Sequence, residues 1–140
     1  MFNEIDFSKI DTSITPPQDD TERHIEQVQD NRLETARRFA EEQQVILVLK
    51  GSKTVVAAPG QTLLVNTTGN PGMATGGSGD VLAGMIASFI AQGMEPYRAA
   101  MCGVHLHGLA GDAAAHRLSQ HAMLPSDLLE ELGGLFLRLE

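Results

Sequence analysis

The sequence predicts an α/β fold, a mostly parallel sheet with flanking helices, and three observations predict it. VILVL, Val45 to Leu49, is a short uninterrupted apolar run rich in branched residues, the pattern of a strand covered on both faces as in a parallel sheet. Two more strand-like runs, TVVAA and TLLVN, flank Pro59 and Gly60, a turn signal that makes them a hairpin. VLAGMIASFIAQ, Val81 to Gln92, is apolar almost all round and reads as a buried helix closed by Gly93.

The remaining elements follow from the same rules. Residues 1–20 show little periodicity and end in TPPQDD, where two prolines discourage helix, so they read as an irregular lead-in. From Thr21 to Gln44 the chain is rich in Glu, Gln, Arg and Ala, with Ile25, Val28, Ala36, Phe39 and Ala40 tracing a helical stripe and Asp30 placed to cap a second helix within it. Glu95 and Pro96 open a helix whose many small residues, among them Ala99, Ala100, Gly103, Ala110 and Gly111, imply close contact with a neighbouring helix. Pro125 and Ser126 start the last helix, with Ser126 as its cap and Asp127, Glu130 and Glu131 favourably placed for the helix dipole.

A chain of 140 residues with 42% hydrophobic content has the size of one domain. A formal charge of -8, with no block of Lys or Arg, argues against a nucleic-acid partner, whose phosphates demand clustered cations. No apolar run is long enough to span a bilayer, and MFNEIDFSKID lacks the features of a secretory signal. Cys102 is the single cysteine, which fits a reducing cytoplasm.

The chemistry concentrates in TGNPGMATGGSGDVLAG. Gly69, Gly72, Gly76, Gly77 and Gly79 fall within the eleven positions before Asp80, a density that lets backbone amides approach an anion without a Cβ in the way. Where such a loop meets a helix start, unpaired N–H groups and the dipole favour a phosphate. Asp80 at that start could accept the proton of a hydroxyl attacking a phosphoryl group, the role of a general base. The blander readings are a surface connection and a helix cap. Neither G-x-x-x-x-G-K-[ST] nor G-x-G-x-x-G occurs. No Lys or Arg lies between Lys53 and Arg98, so a bound polyphosphate would be balanced by Lys50, Lys53, amide dipoles and Mg²⁺. His105 and His107 do not share a helix face, so they read as packed or solvated histidines, and no residue is assigned as a metal ligand.

LKGSKT, Leu49 to Thr54, followed by TGNPGMATGGSGDVLAGMIASFIAQG and then HLHGLAGD, resembles the carboxy-terminal half of the ADP-dependent NAD(P)H-hydrate dehydratases, repair enzymes of the ribokinase-like superfamily. The resemblance covers Val45 to about Leu132, and GGSGDVLAG is its most specific part. It implies that residues 21–140 form the carboxy-terminal half of a ribokinase-like nucleotide-binding domain. It also implies a hydro-lyase reaction on NADHX and NADPHX, reduced nicotinamide cofactors whose ring has added water. ADP, or ATP, would phosphorylate the ring hydroxyl with Asp80 as base and substrate contact, and phosphate would depart, pushed by the ring nitrogen. Carried over by motif, Lys50, Gly51, Ser52, Lys53 and Thr54 would line the nucleotide site. Asn70, Pro71, Gly72, Met73, Ala74, Thr75, Gly76, Gly77, Ser78 and Gly79 would wrap its phosphates.

This sequence departs from that family in two places. Relatives carry Thr-Pro-His-Pro-Gly-Glu ahead of the first matched helix, where this chain reads Thr15-Pro16-Pro17-Gln18-Asp19-Asp20, without the His and Glu. Relatives are also longer, with an amino-terminal half that supplies further sheet strands and part of the substrate pocket, so the chain is expected to be a truncated form. A parallel sheet divided in the middle leaves an unpaired edge, which predicts a homo-oligomer. Two alternatives stand beside the repair reaction: a non-catalytic remnant that binds adenine nucleotide, and a ribokinase-like small-molecule kinase. GGSGDVLAG disfavours the kinase, since thiazole and hydroxymethylpyrimidine kinases resemble Gly-Thr-Gly-Cys here and sugar kinases Gly-Ala-Gly-Asp.

Overall fold

The first described helix, α1 (Arg32–Gln43), presents Ala36 and Ala40, four residues apart, as its buried face, and stops where Gln44 turns to φ 54. It belongs to a computed structural model that describes residues 31–139. The lead-in, the Thr15–Asp20 segment, the helix start at Thr21 and the Asp30 cap lie outside the described residues. Phe39, expected on the inward stripe, is 47% exposed, because the two alanines alone fit against the sheet.

The sheet contains β1 (Leu47–Leu49), β2 (Val55–Ala57) and β3 (Leu64–Val65), in that order across it. Both pairings are antiparallel, with Leu47 opposite Ala57, Leu49 opposite Val55 and Val55 opposite Val65. The hairpin about Pro59 and Gly60 is borne out, with Gly60 at φ 67. The mostly parallel sheet is not found among the described strands. Only Lys50 to Thr54 separate β1 from β2, whereas a parallel crossover needs a dozen or more residues.

Cover of the VILVL run is only partial, since Val45 and Ile46 are 39% and 38% exposed and Leu47 to Leu49 half-buried; it is complete at β2. Val55 and Ala57 pack on Ala36 and Ala40 of α1, while Val56 points the other way into Leu82, Ala100 and Val104. Burying such a branched side chain contributes about 1.5–3 kcal/mol each, so this short strand anchors both layers. Two polar ties fix α1 in place. The Arg32 guanidinium donates to the Leu49 and Lys50 carbonyls at 2.8 and 2.9 Å, and Glu41 accepts from the Gly60 N–H at 2.8 Å.

Beyond a 3₁₀ turn (Pro71–Met73) come α2 (Ser78–Ala91), α3 (Pro96–Leu118) and α4 (Pro125–Leu137). The turn at Gly77, φ 92, starts α2 three residues earlier than the apolar pattern suggests, which draws Asp80 into the helix itself. Gly93, also at φ 92, closes it as expected. Burial all round α2 is not observed: Leu82 and Met85 are enclosed, while Ile90 is 42% exposed. The small residues of α3 do make the close helix contact that they imply. A Cβ on Gly103 would stand 2.5 Å from Ile86 Cγ1 of α2.

Glu95 caps α3, accepting from the Tyr97 and Arg98 N–H groups at 2.9 Å each, and these two bonds hold its carboxyl below the usual range. The α4 cap is a correction. Leu124 is the cap position, and the Asp127 carboxylate accepts its N–H at 2.6 Å, so Ser126 lies inside the helix. Ala110, Ala114, Met123 and Leu128 form the core between α3 and α4. Among the described residues no helix is long and apolar enough to cross a membrane.

The Gly103 contact gives a direct test. Gly103→Ala must push Ile86 off α3, and overpacking of this kind costs about 1–3 kcal/mol. Urea unfolding should show a lowered midpoint with an unchanged slope, whereas Gly134→Ala, which meets open space, should not be destabilising.

Candidate functional site

A cavity of about 750 Å³ lies where the β1–β2 connection, the segment after β3 and the first turn of α2 meet α3. Of the residues singled out by sequence, Lys50, Gly51, Ser52, Lys53, Thr54, Asn70, Pro71, Met73, Ala74, Thr75 and Ser78 all line it. Two segments some twenty residues apart in the chain are thus brought to one place. Gly72, Gly76, Gly77, Gly79 and Asp80 are not part of that lining. Gly72 is instead pressed on the α3–α4 connection, where a Cβ would meet Gln120 O at 2.5 Å and Met123 Sδ at 2.8 Å.

Asp80 faces elsewhere. Its exposed carboxylate borders a second, apolar groove of about 500 Å³ formed by α2 and α4, with Met85, Phe89, Leu129 and Phe136 among the walls. Phe89 and Phe136 meet there edge to face, centroids 6.3 Å apart.

Lys50 is the cation that the loop lacks. A Cβ on Gly79 would stand 2.5 Å from Lys50 Nζ, so the absent side chain is what admits the ammonium to the amino-terminal turn of α2. Lys50 makes no ion pair with any described residue. A lysine held against the positive end of a helix dipole, with no carboxylate to balance it, leaves a locus that favours an anion. Within the turn, Gly77 O takes the Asp80 and Val81 N–H groups at 3.1 Å, and Thr75 O takes that of Ser78 at 3.3 Å. Those three donors serve the helix rather than a ligand.

Sequence reasoning did not place Asn66, Thr68, Val104, His107 or Gly108 at the site, and all five line the wall. His107 is buried, and its Nε2 lies 2.8 Å from Ser78 O, to which it donates, and 3.3 Å from Ser78 Oγ. It therefore ties α3 to the start of α2. HLHGLAGD held a usable signal: a glycine directly after a histidine on a helix marks a spot where another backbone comes close, and here it is Thr68 that lies against Gly108. Among the described residues no group of three or more His, Cys, Asp or Glu could hold a metal ion.

Burial pushes the His107 imidazole below its ordinary pKa, the Ser78 carbonyl opposes this, and Lys50 adds to the lowering. The folded protein thus holds His107 neutral, while the unfolded chain takes up a proton near pH ~6.5. Stability from this residue is complete above that pH and is lost as pH falls through the lower folded value. The melting temperature should accordingly drop more steeply between about pH 6.5 and 5.5 in the parent protein than in His107→Gln, whose amide can still donate to Ser78 O. Parallel slopes would refute the assignment.

Residues 4–133 match the family described as NAD(P)H-hydrate dehydratase. A bifunctional NAD(P)H-hydrate repair enzyme of Moorella thermoacetica is 50% identical over 113 residues, 81% of this chain and 21% of that protein. An ADP-dependent (S)-NAD(P)H-hydrate dehydratase of Bacillus subtilis is 34% identical over 116 residues, 83% of this chain and 42% of its own length. Among solved structures, the ADP/ATP-dependent NAD(P)H-hydrate dehydratase from Bacillus subtilis, co-crystallized with ATP/Mg²⁺, superposes with a TM-score of 0.79 at 34% identity, covering 83% of this chain and 42% of that one. A ribokinase-like superfamily protein from Enterococcus faecalis gives 0.65 at 36% identity, over 76% of this chain and 36% of its own. The fold is therefore ribokinase-like, and the chain spans well under half the length of these relatives.

Proposed function

The chain belongs to the NAD(P)H-hydrate dehydratase family, and from that premise we propose that its cavity binds ADP or ATP for the dehydration of NADHX and NADPHX back to NADH and NADPH. The observation that carries this reading is the Lys50 ammonium set against the amino-terminal turn of α2, in a cavity whose lining mixes hydroxyls, amides and glycines with apolar side chains such as Met73, Leu82 and Val104. The polar part of that lining fits a polyphosphate: the Lys50 and Lys53 cations, the helix dipole, and the hydroxyls of Ser52, Thr54 and Thr75. Mg²⁺, carried with the nucleotide, would offset the remaining phosphate charge.

Hydroxide is a poor leaving group from the hydrated ring. In the proposed reaction the ring oxygen forms a bond to the terminal phosphorus as the bond to the departing nucleotide breaks, and the hydroxyl proton goes to the Asp80 carboxylate. The ring nitrogen lone pair then expels phosphate, and loss of a proton from the adjacent carbon restores the dihydropyridine. Lys50 holds and neutralises the phosphates, Lys53, Ser52 and Thr54 flank them, and the segment from Asn70 to Ser78 orders them. The same reading takes the protein as cytoplasmic and self-associating, consistent with exposed apolar side chains such as Ile90, Leu129 and Phe136.

One observation favours a second reading, in which the chain binds nucleotide without turning over. Asp80 borders the α2–α4 groove rather than the cavity that contains Lys50. A single assay separates the two. With NADHX, ADP and Mg²⁺, turnover appears as rising NADH absorbance. ADP binding with no such rise selects the second reading, and an absence of ADP binding removes both.

Two substitutions localise the roles. Lys50→Met should weaken ADP binding by about tenfold or more, the worth of a charge-assisted contact, as read by calorimetry. Asp80→Asn should abolish turnover while ADP affinity stays within about threefold. Equal loss of both would make Asp80 structural.

A further inference from the structure

We propose that Asp112, which lies outside the cavity, is the positioning residue that pre-shapes the phosphate-binding segment; this rests on the nucleotide reading above. Its two carboxylate oxygens are each engaged by that segment. Oδ2 accepts the Gly69 N–H at 2.9 Å, and Oδ1 accepts the Asn70 side-chain amide at 3.0 Å. Asn70 in turn accepts the Gly72 N–H at 3.0 Å, which opens the 3₁₀ turn. One carboxylate on α3 thereby fixes the Gly69 N–H and the Asn70 side chain directly, and the Gly72 N–H through Asn70.

The segment runs along α3 in the same direction, and its ties follow one another in order along both. Asn66 reaches Val104 O at 3.5 Å, Thr68 donates to His105 O at 3.0 Å, and Gly69 and Asn70 reach Asp112. Residues 104, 105, 108 and 112 lie on one helical face, so α3 acts as a rail. The first two ties are long or neutral, whereas the last is charged and two-pronged, and such bonds are about twice as strong. The polar part of the cavity wall between Gly69 and Thr75 hangs from this last tie, with Asp112 itself withdrawn behind it. The carboxylate is thus committed to amides and does not face the phosphates, which a bare Asp in the wall would repel.

The full 140-residue chain is tested with ADP and with adenosine, both with Mg²⁺, by calorimetry. Asp112→Ala should weaken ADP at least tenfold and adenosine less than threefold, because the ordered segment serves the phosphates. Asp112→Asn keeps an acceptor for Gly69 while opposing the Asn70 amide, so it should fall between Ala and the parent. Hydrogen exchange reads the tether without any ligand: amides of Gly69 to Met73 should exchange faster in Asp112→Ala, with those of α2 unchanged. Equal losses for ADP and adenosine, or unchanged exchange at Gly69 to Met73, overturn the proposal. If the parent chain binds no ADP, the nucleotide reading fails, and faster exchange would then show an Asp112 tether without that purpose. If Asp112→Ala does not fold, Asp112→Asn decides on the same readouts.

Discussion

The constraint on which this structure depends is the closeness with which α3 is approached. Gly103, Gly108 and Gly111 leave one side of that helix bare, and Ile86, Thr68 and Met73 occupy the space where side chains would otherwise stand. Glycine within a helix costs about 1 kcal/mol relative to alanine, so three of them along one face weaken α3 taken alone. The return is geometric. Helix α2 and the segment after β3 both settle against the same rod, and the cavity is the space left between them.

Polar groups then convert this proximity into a defined shape. His107 holds the start of α2 through the Ser78 carbonyl, Thr68 and Asn66 reach carbonyls of α3, and Asp112 gathers Gly69 and Asn70. Backbone in irregular segments needs partners wherever water is excluded, and α3 with its side chains supplies many of them. Lys50 enters from the sheet side, so strand, loop and helix each contribute one part of the electrostatics.

Much of this was legible in the sequence. The Pro59–Gly60 hairpin, closure of α2 at Gly93 and the small-residue contact of α3 follow from local rules that tertiary structure did not override. The residues of the LKGSKT run expected at a nucleotide site, and most from Asn70 to Ser78, do meet around one cavity. What was not legible has physical reasons. The apolar character of β1 reports cover on two faces and says nothing of strand direction, which the five-residue connection to β2 decides instead. The apolar run of α2 hides the three polar or small residues that Gly77 brings into its first turn, and so misplaces the side from which Asp80 looks out. The pairing of Asp112 with Asn70 spans 42 positions, and a single sequence contains no signal at that range.

That separation bears on the order of assembly. The sheet pairs its strands in chain order, and α2, α3 and α4 each pack on the next, so each layer can form from near neighbours, while docking Val56 on Ala100 and Val104 closes a long loop. The tether between Gly69 and Asp112, 43 residues apart, belongs with that docking, because it can close only after the hairpin and α3 exist. The wall from Gly69 to Thr75, hung on α3 by polar ties, would open before the apolar layers beneath it, a fluctuation through which a ligand could enter and leave without disturbing them.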